Sequence, residues 1–219
     1  MPRLRFIKQG RAAWISHLDL MRVFQRAFKR AGLPLKHTQG FNPRPSVSIA
    51  LPMSVGVSSR CELLDFDLEG MSLPCDEITR RLNDALIEGV EVIKTYELGQ
   101  KVKYIGFLDC KVSMQYDGGV KCGAVEKIAE LFARKELFVE KQGKNGTVLR
   151  DIIPMIRKIS VSADGENQIC IFARICCQEP SLNPAQLVVA VEKELEDLKP
   201  DSVSYERIEI YDREENLFQ

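Results

Sequence analysis

The chain has 219 residues, of which 45 % are hydrophobic and 28 % charged, and this composition is typical of a globular protein with a substantial core. No apolar run reaches the roughly 18 residues that cross a bilayer, and the N-terminus lacks the apolar core of a signal peptide. These features argue against a membrane-spanning or secreted protein, and we expect a cytoplasmic protein with no membrane partner.

The charge of the chain is unevenly distributed, although its 31 basic residues balance its 31 acidic ones. Residues 1–60 contain eleven Lys or Arg and one acid, Asp19, for a net charge of +10, so residues 61–219 carry −10. Such segregation is typical of a chain with one end facing a polyanion. A solvated helix face would have a similar composition, and this alternative stays open.

The seven cysteines are odd in number and show no C-x-x-C spacing. They are therefore expected to be small buried hydrophobic residues, with no metal and no cofactor. At the other end of the chain, residues 215–219 resemble a protease-recognition tag, so residues 214–219 are left out of the fold expectations as a tail.

The first half predicts the order strand, helix, strand, strand, helix, strand. Residues 4–8 alternate as in a strand, with residues 12–15 as an extension beyond Gly10. Ser16 and Asp19 resemble a capping box, so a helix should begin at His17 and end before Gly32. Further strands are expected at 35–38, 46–51, 62–68 and 90–96, and a second helix at 75–87.

The first predicted helix has two distinct faces. Apolar residues three and four apart predict a buried stripe: Met21, Phe24, Phe28 and Ala31. Basic residues form a second stripe on the other side: Arg22, Arg26, Lys29 and Arg30.

The second half repeats this order loosely. Strands are expected at 104–116, 137–140, 160–162, 169–176 and 203–211, and helices at 125–135 and 183–198. Residues 141–146 are predicted to be a flexible turn, and residues 148–159 a short helix or irregular. The predicted fold class is α+β, with two ferredoxin-like modules in tandem: a basic one over 1–99 and an acidic one over 100–213.

Few residues of this chain suggest catalysis. His17 and His37 are the two histidines, and an imidazole that titrates near neutral pH suits proton transfer in phosphodiester cleavage. Surface positions explain them equally well, and the common nucleotide, protease, hydrolase and radical-generating motifs are missing. We therefore expect no catalytic residue, and keep these two histidines as candidates if the protein is an enzyme.

Nucleic-acid binding fits the basic residues better. The glycine and the two prolines in residues 39–45 predict a loop with restricted conformations near the end of the basic helix. Cations neutralise phosphates, and an exposed aromatic ring can stack on an unpaired base, which favours RNA over duplex DNA. Core packing of Phe41 remains the alternative. The candidate binding residues are Arg5, Arg22, Arg26, Lys29, Arg30, Phe41, Asn42 and Arg44, and the residues with structural roles in the motifs are Ser16, His17, Asp19, Gly40 and Pro43.

Several short motifs occur together over residues 3–70. They are Arg5-Phe6-x-Lys8-x-Gly10, Ser16-His17-Leu18-Asp19-Leu20-Met21-Arg22, Arg30-Ala31-Gly32-Leu33-Pro34, Gly40-Phe41-Asn42-Pro43-Arg44-Pro45, Leu51-Pro52, and Gly56-Val57-x-Ser59 with Glu62. Jointly they resemble the radical SAM-linked protein family, a bacterial domain encoded beside, or fused behind, a radical S-adenosylmethionine protein.

This resemblance implies a radical SAM protein as partner and a setting of ribosomal or transfer RNA. In that family a histidine often follows the Asn-Pro pair, whereas this chain has Arg44, which argues against a catalytic imidazole in this loop and is neutral for phosphate binding. The element order also resembles that of the CRISPR repeat-processing endoribonucleases. Our first hypothesis is a non-catalytic accessory protein that binds RNA. A protein–protein adaptor and a metal-independent endoribonuclease are the alternatives.

Overall fold

The computed structural model describes residues 1–70, 72–143 and 146–219, which form two compact units. The first unit comprises Met1–Tyr104 together with Phe218 and Gln219, and the second comprises Ile105–Leu217. Within the described residues there are four α-helices and ten strands. No helix in this part of the chain combines the length and the hydrophobicity that a bilayer crossing requires.

The first unit has the predicted element order. Its elements are β1 (Arg3–Lys8), α1 (His17–Arg30), β2 (Val47–Ile49), β3 (Val57–Phe66), α2 (Cys75–Ala85) and β4 (Val90–Tyr96). The strands form an antiparallel sheet in the order β4-β1-β3-β2.

Helix α1 packs its apolar stripe into the core of the first unit. Phe24 and Phe28 are fully buried. The Phe24 ring meets Phe6 of β1 edge-on with 4.7 Å between ring centroids, and Phe28 lies 5.1 Å from Phe66 of β3. Removing such a ring typically costs about 3–5 kcal/mol, so these contacts fix α1 and leave its basic stripe outward.

Two local expectations for the first unit were wrong. Residues 10–14 form a turn of 3-10 helix instead of extending β1. The backbone at Gln9, just before this turn, packs closely against Gly89: the Gln9 N–H donates to the Gly89 carbonyl at 2.8 Å. A Cβ at Gly89 would lie only 2.5 Å from the Gln9 carbonyl oxygen, so the close approach requires a glycine there. Residues 35–38 form no strand and contribute only isolated bridges, from Leu35 to Leu68 and from His37 to Pro45. Pro45 has no N–H with which to continue a hydrogen-bonded ladder beside His37.

The second unit contains the elements β5 (Ile105–Gln115), α3 (Ala124–Phe132), β6 (Phe138–Gly143), β7 (Gly146–Asp151), β8 (Ile156–Ala163), β9 (Gln168–Cys176), α4 (Ala185–Glu194) and β10 (Ser202–Asp212). Its main antiparallel sheet has the order β10-β5-β9-β8. Strands β6 and β7 pair separately as a hairpin.

The expectation of a short helix or irregular chain over residues 148–159 was wrong for residues 148–151 and 156–159, which lie in strands. Val148 pairs with Lys141 in the β6–β7 hairpin, and β8 begins at Ile156. Pro154 lies in a short 3-10 turn between the two strands, where its missing N–H prevents an α-helix from continuing. Of the predicted flexible turn over 141–146, residues 144 and 145 lie outside the described residues.

The tail that sequence analysis left out of the fold contributes a buried side chain to the first unit. Phe218 is 1 % exposed, and the Arg3 guanidinium carbon lies 5.1 Å from the centroid of its ring. The same guanidinium binds Asp65 with two contacts of 2.6 and 3.0 Å and donates to the Gln219 carbonyl at 3.3 Å. Phe218 therefore shields an ion pair that is itself largely buried.

Candidate nucleic-acid interface

Helix α1 begins with a compact polar cluster. The Ser16 hydroxyl accepts from the Asp19 N–H at 3.2 Å and donates to the Asp19 carboxylate at 2.7 Å, and Arg22 donates to the other carboxylate oxygen at 2.7 Å. The hydrogen bond from Ser16, followed by that from Arg22, lowers the pKa of Asp19. The cluster caps the helix and orients Arg22, whose charge is partly neutralised.

The four cations of the α1 stripe differ in what they contact. All four are exposed. Arg22 pairs with Asp19, and the Arg30 guanidinium donates to the carbonyl of Ala85 at the end of α2, at 2.5 Å. Among the described residues, no carboxylate lies within ion-pairing distance of Arg26 or Lys29. These two side chains are the members of the stripe most available to an external anion.

The loop of residues 38–44, which we call the Phe41 loop, is closed by two hydrogen bonds. The Thr38 N–H donates to the Arg44 carbonyl at 2.8 Å, and the Arg44 N–H donates to the Thr38 hydroxyl at 3.0 Å. Gly40, Asn42, Pro43 and Arg44 are exposed.

The side chain of Phe41 is fully exposed at the tip of this loop. The alternative that Phe41 packs in the core is therefore wrong. Exposure of a whole phenyl ring costs hydrophobic free energy in the absence of a partner, so the ring is available for contact with something outside the chain.

A groove lies between the last turn of α1 and the base of the Phe41 loop. Its volume is about 520 Å³, and we call it the α1-end groove. Its lining residues are Gln25, Phe28, Lys29, Gly32, Leu33, Pro34, Leu35, His37, Pro45 and Glu69. The groove thus brings a stripe cation, Lys29, next to the His37–Pro45 bridge from which the Phe41 loop extends.

Arg5 lies elsewhere in the first unit. Leu4 and Phe6 belong to the core that contains α1, and successive side chains of a strand point to opposite faces. Arg5 is half-buried on the other face of the sheet. The structure therefore does not bring Arg5 together with the α1 stripe.

The two histidines lie at opposite ends of α1. His17 is its first residue and is half-buried, whereas exposed His37 lines the α1-end groove beyond the last turn. A rise of about 1.5 Å per residue places the ends of this 14-residue helix about 20 Å apart. The two imidazoles therefore cannot act as an acid–base pair, and an endoribonuclease mechanism would have to use one of them alone.

Sequence reasoning missed two residues of the site, Thr38 and Glu69. Thr38 precedes a glycine-containing loop, where a threonine hydroxyl commonly binds the local backbone, and this signal could have identified it. Glu69 reaches the groove because Leu68 bridges Leu35 and the Glu69 N–H donates to the Pro34 carbonyl at 2.9 Å. Nothing in the local sequence indicates that contact.

A second exposed feature lies at the start of α1. Trp14 and Leu18 are 72 % and 67 % exposed. A Cβ at Gly56 would lie 3.3 Å from the indole of Trp14, so the indole lies close against the backbone at Gly56 and leaves most of its surface to the solvent. Large exposed apolar side chains such as these two offer contact surface for another molecule.

The thiols are mostly internal, and all seven are free. Cys61, Cys110, Cys170 and Cys176 are buried, whereas Cys122 is exposed. Burial raises the pKa of Cys110 to about 12, which keeps that thiol protonated at neutral pH. The expectation of buried cysteines is therefore wrong for Cys122.

Comparison with one solved structure shows a shared fold. A chain of a Cbf5-Nop10-Gar1 complex is similar, with a TM-score of 0.51 and 10 % identity; the match covers 95 % of this chain and 48 % of that one. This protein thus spans about half the length of that chain. An unknown protein from Galdieria sulphuraria matches over 94 % of this chain and 96 % of its own, with 14 % identity and a TM-score of 0.26.

Residues 2–184 match a protein family described as uncharacterized protein conserved in bacteria (DUF2344). Because the match spans most of the chain, the protein belongs to this family. No curated protein matches the chain.

Proposed function

We propose that this protein is a non-catalytic accessory protein that binds RNA through its first unit and works with a radical SAM enzyme. The observation that carries the RNA-binding proposal is the arrangement around the α1-end groove. There a cation without an ion-pair partner among the described residues, Lys29, lies beside the base of a loop that exposes a whole phenyl ring, Phe41. Cations that hold phosphates and an aromatic ring that stacks on a base are the two components of single-strand binding.

The strand orders support a finer description of the fold. Both β4-β1-β3-β2 and β10-β5-β9-β8 follow the arrangement of a ferredoxin-like module, with the β6–β7 hairpin as an insertion in the second. We propose two ferredoxin-like modules in tandem. Modules of this kind commonly bind single-stranded RNA, which favours RNA over duplex DNA as the ligand.

The radical SAM partner is proposed from the resemblance of residues 3–70 to the radical SAM-linked protein family. In this arrangement the accessory protein would hold a ribosomal or transfer RNA for the enzyme. The exposed side chains of Trp14 and Leu18 offer a surface for such a protein contact. They also favour the second candidate function, a protein–protein adaptor that docks on the radical SAM partner without RNA.

The test measures RNA binding by a charge-reversal variant, Arg26→Glu with Lys29→Glu. The probe is a labelled single-stranded RNA of about 12 nucleotides, within the range of known site sizes, at about 0.1 M salt. We expect the Kd to rise by about 100-fold, and the slope of log K against log salt to fall by about 1.4 for two lost phosphate contacts. The matched control is Lys135→Glu with Lys199→Glu, which makes the same charge change at exposed positions of the second unit.

Two outcomes would reject RNA binding at this site: an unchanged Kd, or an equal loss in both double variants. The adaptor function is tested by co-purification with the radical SAM partner after nuclease treatment. A stable complex that is lost on Trp14→Ser with Leu18→Ser, in a chain that binds no RNA, would establish the adaptor instead.

A further inference from the structure

The α1-end groove combines an apolar lining with a few polar side chains, and general affinity for phosphates does not require this combination. Its volume of about 520 Å³ falls within the roughly 300–1,000 Å³ typical of small-molecule pockets. Pro34 and Pro45 offer accessible apolar surface on the groove, and Leu33 and Leu35 lie beneath. A flat heterocycle with apolar faces and polar edges fits such a lining better than a phosphate does.

Two groups of opposite charge line this groove without pairing. Within the described part of the chain, neither Lys29 nor Glu69 has a salt bridge, although both side chains line the groove. The backbone of Glu69 is held by its hydrogen bond to Pro34, and that of Lys29 by α1. The groove therefore offers an acceptor group and a donor group, both on anchored backbone, to the same ligand.

Guanine is the base whose edges match both groups. Its N1–H and N2–H donors lie side by side, so one carboxylate can accept from both. Its O6 and N7 acceptors suit a lysine ammonium. Adenine has no imino N–H beside its amine, and uracil has a single N–H donor, so neither can satisfy both groups equally well.

We propose that the α1-end groove binds an unpaired guanine of the RNA, with Glu69 accepting from N1–H and N2–H and Lys29 donating to O6 or N7. This inference rests on the proposed RNA binding. In it Phe41 stacks on a neighbouring base, and Arg26 holds a phosphate. The ligand is thus a single-stranded or looped segment with a guanine that is not base-paired.

The experiment compares four labelled RNAs of about nine nucleotides, a length within known single-strand site sizes. All are uridines except the central position, which is G, A, C or U. We expect the G-containing RNA to bind at least about tenfold more tightly than the others. Inosine at the centre, which lacks the N2 amine, should lose part of that preference.

The variant Glu69→Gln replaces a pure acceptor by an amide that also donates, and it should abolish most of the preference for G, measured as the ratio of the Kd for the all-uridine RNA to the Kd for the G-containing RNA. Glu91→Gln, at an exposed position of β4, should retain the preference. Equal binding of all four RNAs, or a preference that survives Glu69→Gln, would overturn the guanine site but leave RNA binding intact. Failure of the chain to bind any of the RNAs would overturn both proposals.

Discussion

Thr38 and Arg44 hold the Phe41 loop closed through two hydrogen bonds, one between backbone groups and one from the Arg44 N–H to the Thr38 hydroxyl. The second bond depends on a side chain and can be removed without altering the basic surface. We expect Thr38→Val, which keeps the shape but not the hydroxyl, to loosen the loop and raise the Kd for RNA about two- to tenfold, in line with roughly 0.5–1.5 kcal/mol for a hydrogen bond. Thr38→Ser should bind like the wild-type chain; equal weakening by both substitutions would show that the hydroxyl is not what matters.

Phe41→Ala should weaken RNA binding without destabilising the fold. Stacking on a base contributes about 1–3 kcal/mol, so we expect a rise in Kd of about 5- to 150-fold. Because the ring is fully exposed, the midpoint of urea unfolding should stay the same. Phe41→Trp keeps a stacking surface and should retain affinity. A destabilised Phe41→Ala chain would mean that the ring packs against the protein in solution.

Ser16→Ala should destabilise the first unit by about 1 kcal/mol, because it removes the hydroxyl that caps α1. The measurement is the urea dependence of circular dichroism. Ser16→Thr supplies an equivalent acceptor and serves as the control. If the Ala and Thr variants unfold at the same urea concentration, the cap does not stabilise α1.

Glu77 provides a pH-dependent prediction. Hydrogen bonds from Arg80 and then Arg81 lower its pKa from 4.5 to about 2. Since the folded-state pKa is depressed, the stabilisation is complete above about pH 4.5 and is lost as the pH falls from 4.5 toward 2. Glu77→Gln should therefore lose less stability than the wild-type chain over that range, and both should show the same pH dependence between pH 6 and 8. If the free energy of unfolding of the two chains fell in parallel from pH 4.5 toward pH 2, Glu77 would not be the source of this pH dependence.

Phe218→Ala should destabilise the first unit by about 3–5 kcal/mol, as expected for removal of a buried phenyl ring. The variant also uncovers the Arg3–Asp65 ion pair. Phe218→Leu refills most of the volume and should cost less. Thermal unfolding followed by circular dichroism distinguishes the two; an unchanged midpoint for Phe218→Ala would show that the ring does not pack in solution.

Local patterns predicted much of the first unit. The start and end of α1 followed from Ser16 and Gly32, because a capping hydroxyl and a residue with a φ of +66° act within a few residues of the helix ends. The two-residue period of a strand also predicts that Arg5 lies on the face of the sheet opposite α1, but sequence analysis overlooked this. Helical spacing also predicted the buried rings of Phe24 and Phe28, whereas Met21 and Ala31 are only half-buried and the buried Leu20 and Ala27 were missed.

Other features depend on contacts between distant residues. Glu69 lines the groove only because residues 35 and 68 bridge, and no local pattern encodes that pairing. The extension of β8 back to Ile156 likewise depends on its partner β9. Phe218 was missed because residues 215–219 resemble a protease-recognition tag, whereas its ring packs against Arg3, more than 200 residues earlier in the sequence.

The position of Phe218 also bears on how the protein is made. The ribosome must synthesise the whole second unit before Phe218 can join β1 and β3, which takes on the order of ten seconds at about 5–20 residues per second. Throughout that interval the aromatic cover of the Arg3–Asp65 pair is missing from the nascent chain. Completion of the first unit is thus coupled to synthesis of the second, and a fragment ending at Tyr104 would remain in this incomplete state.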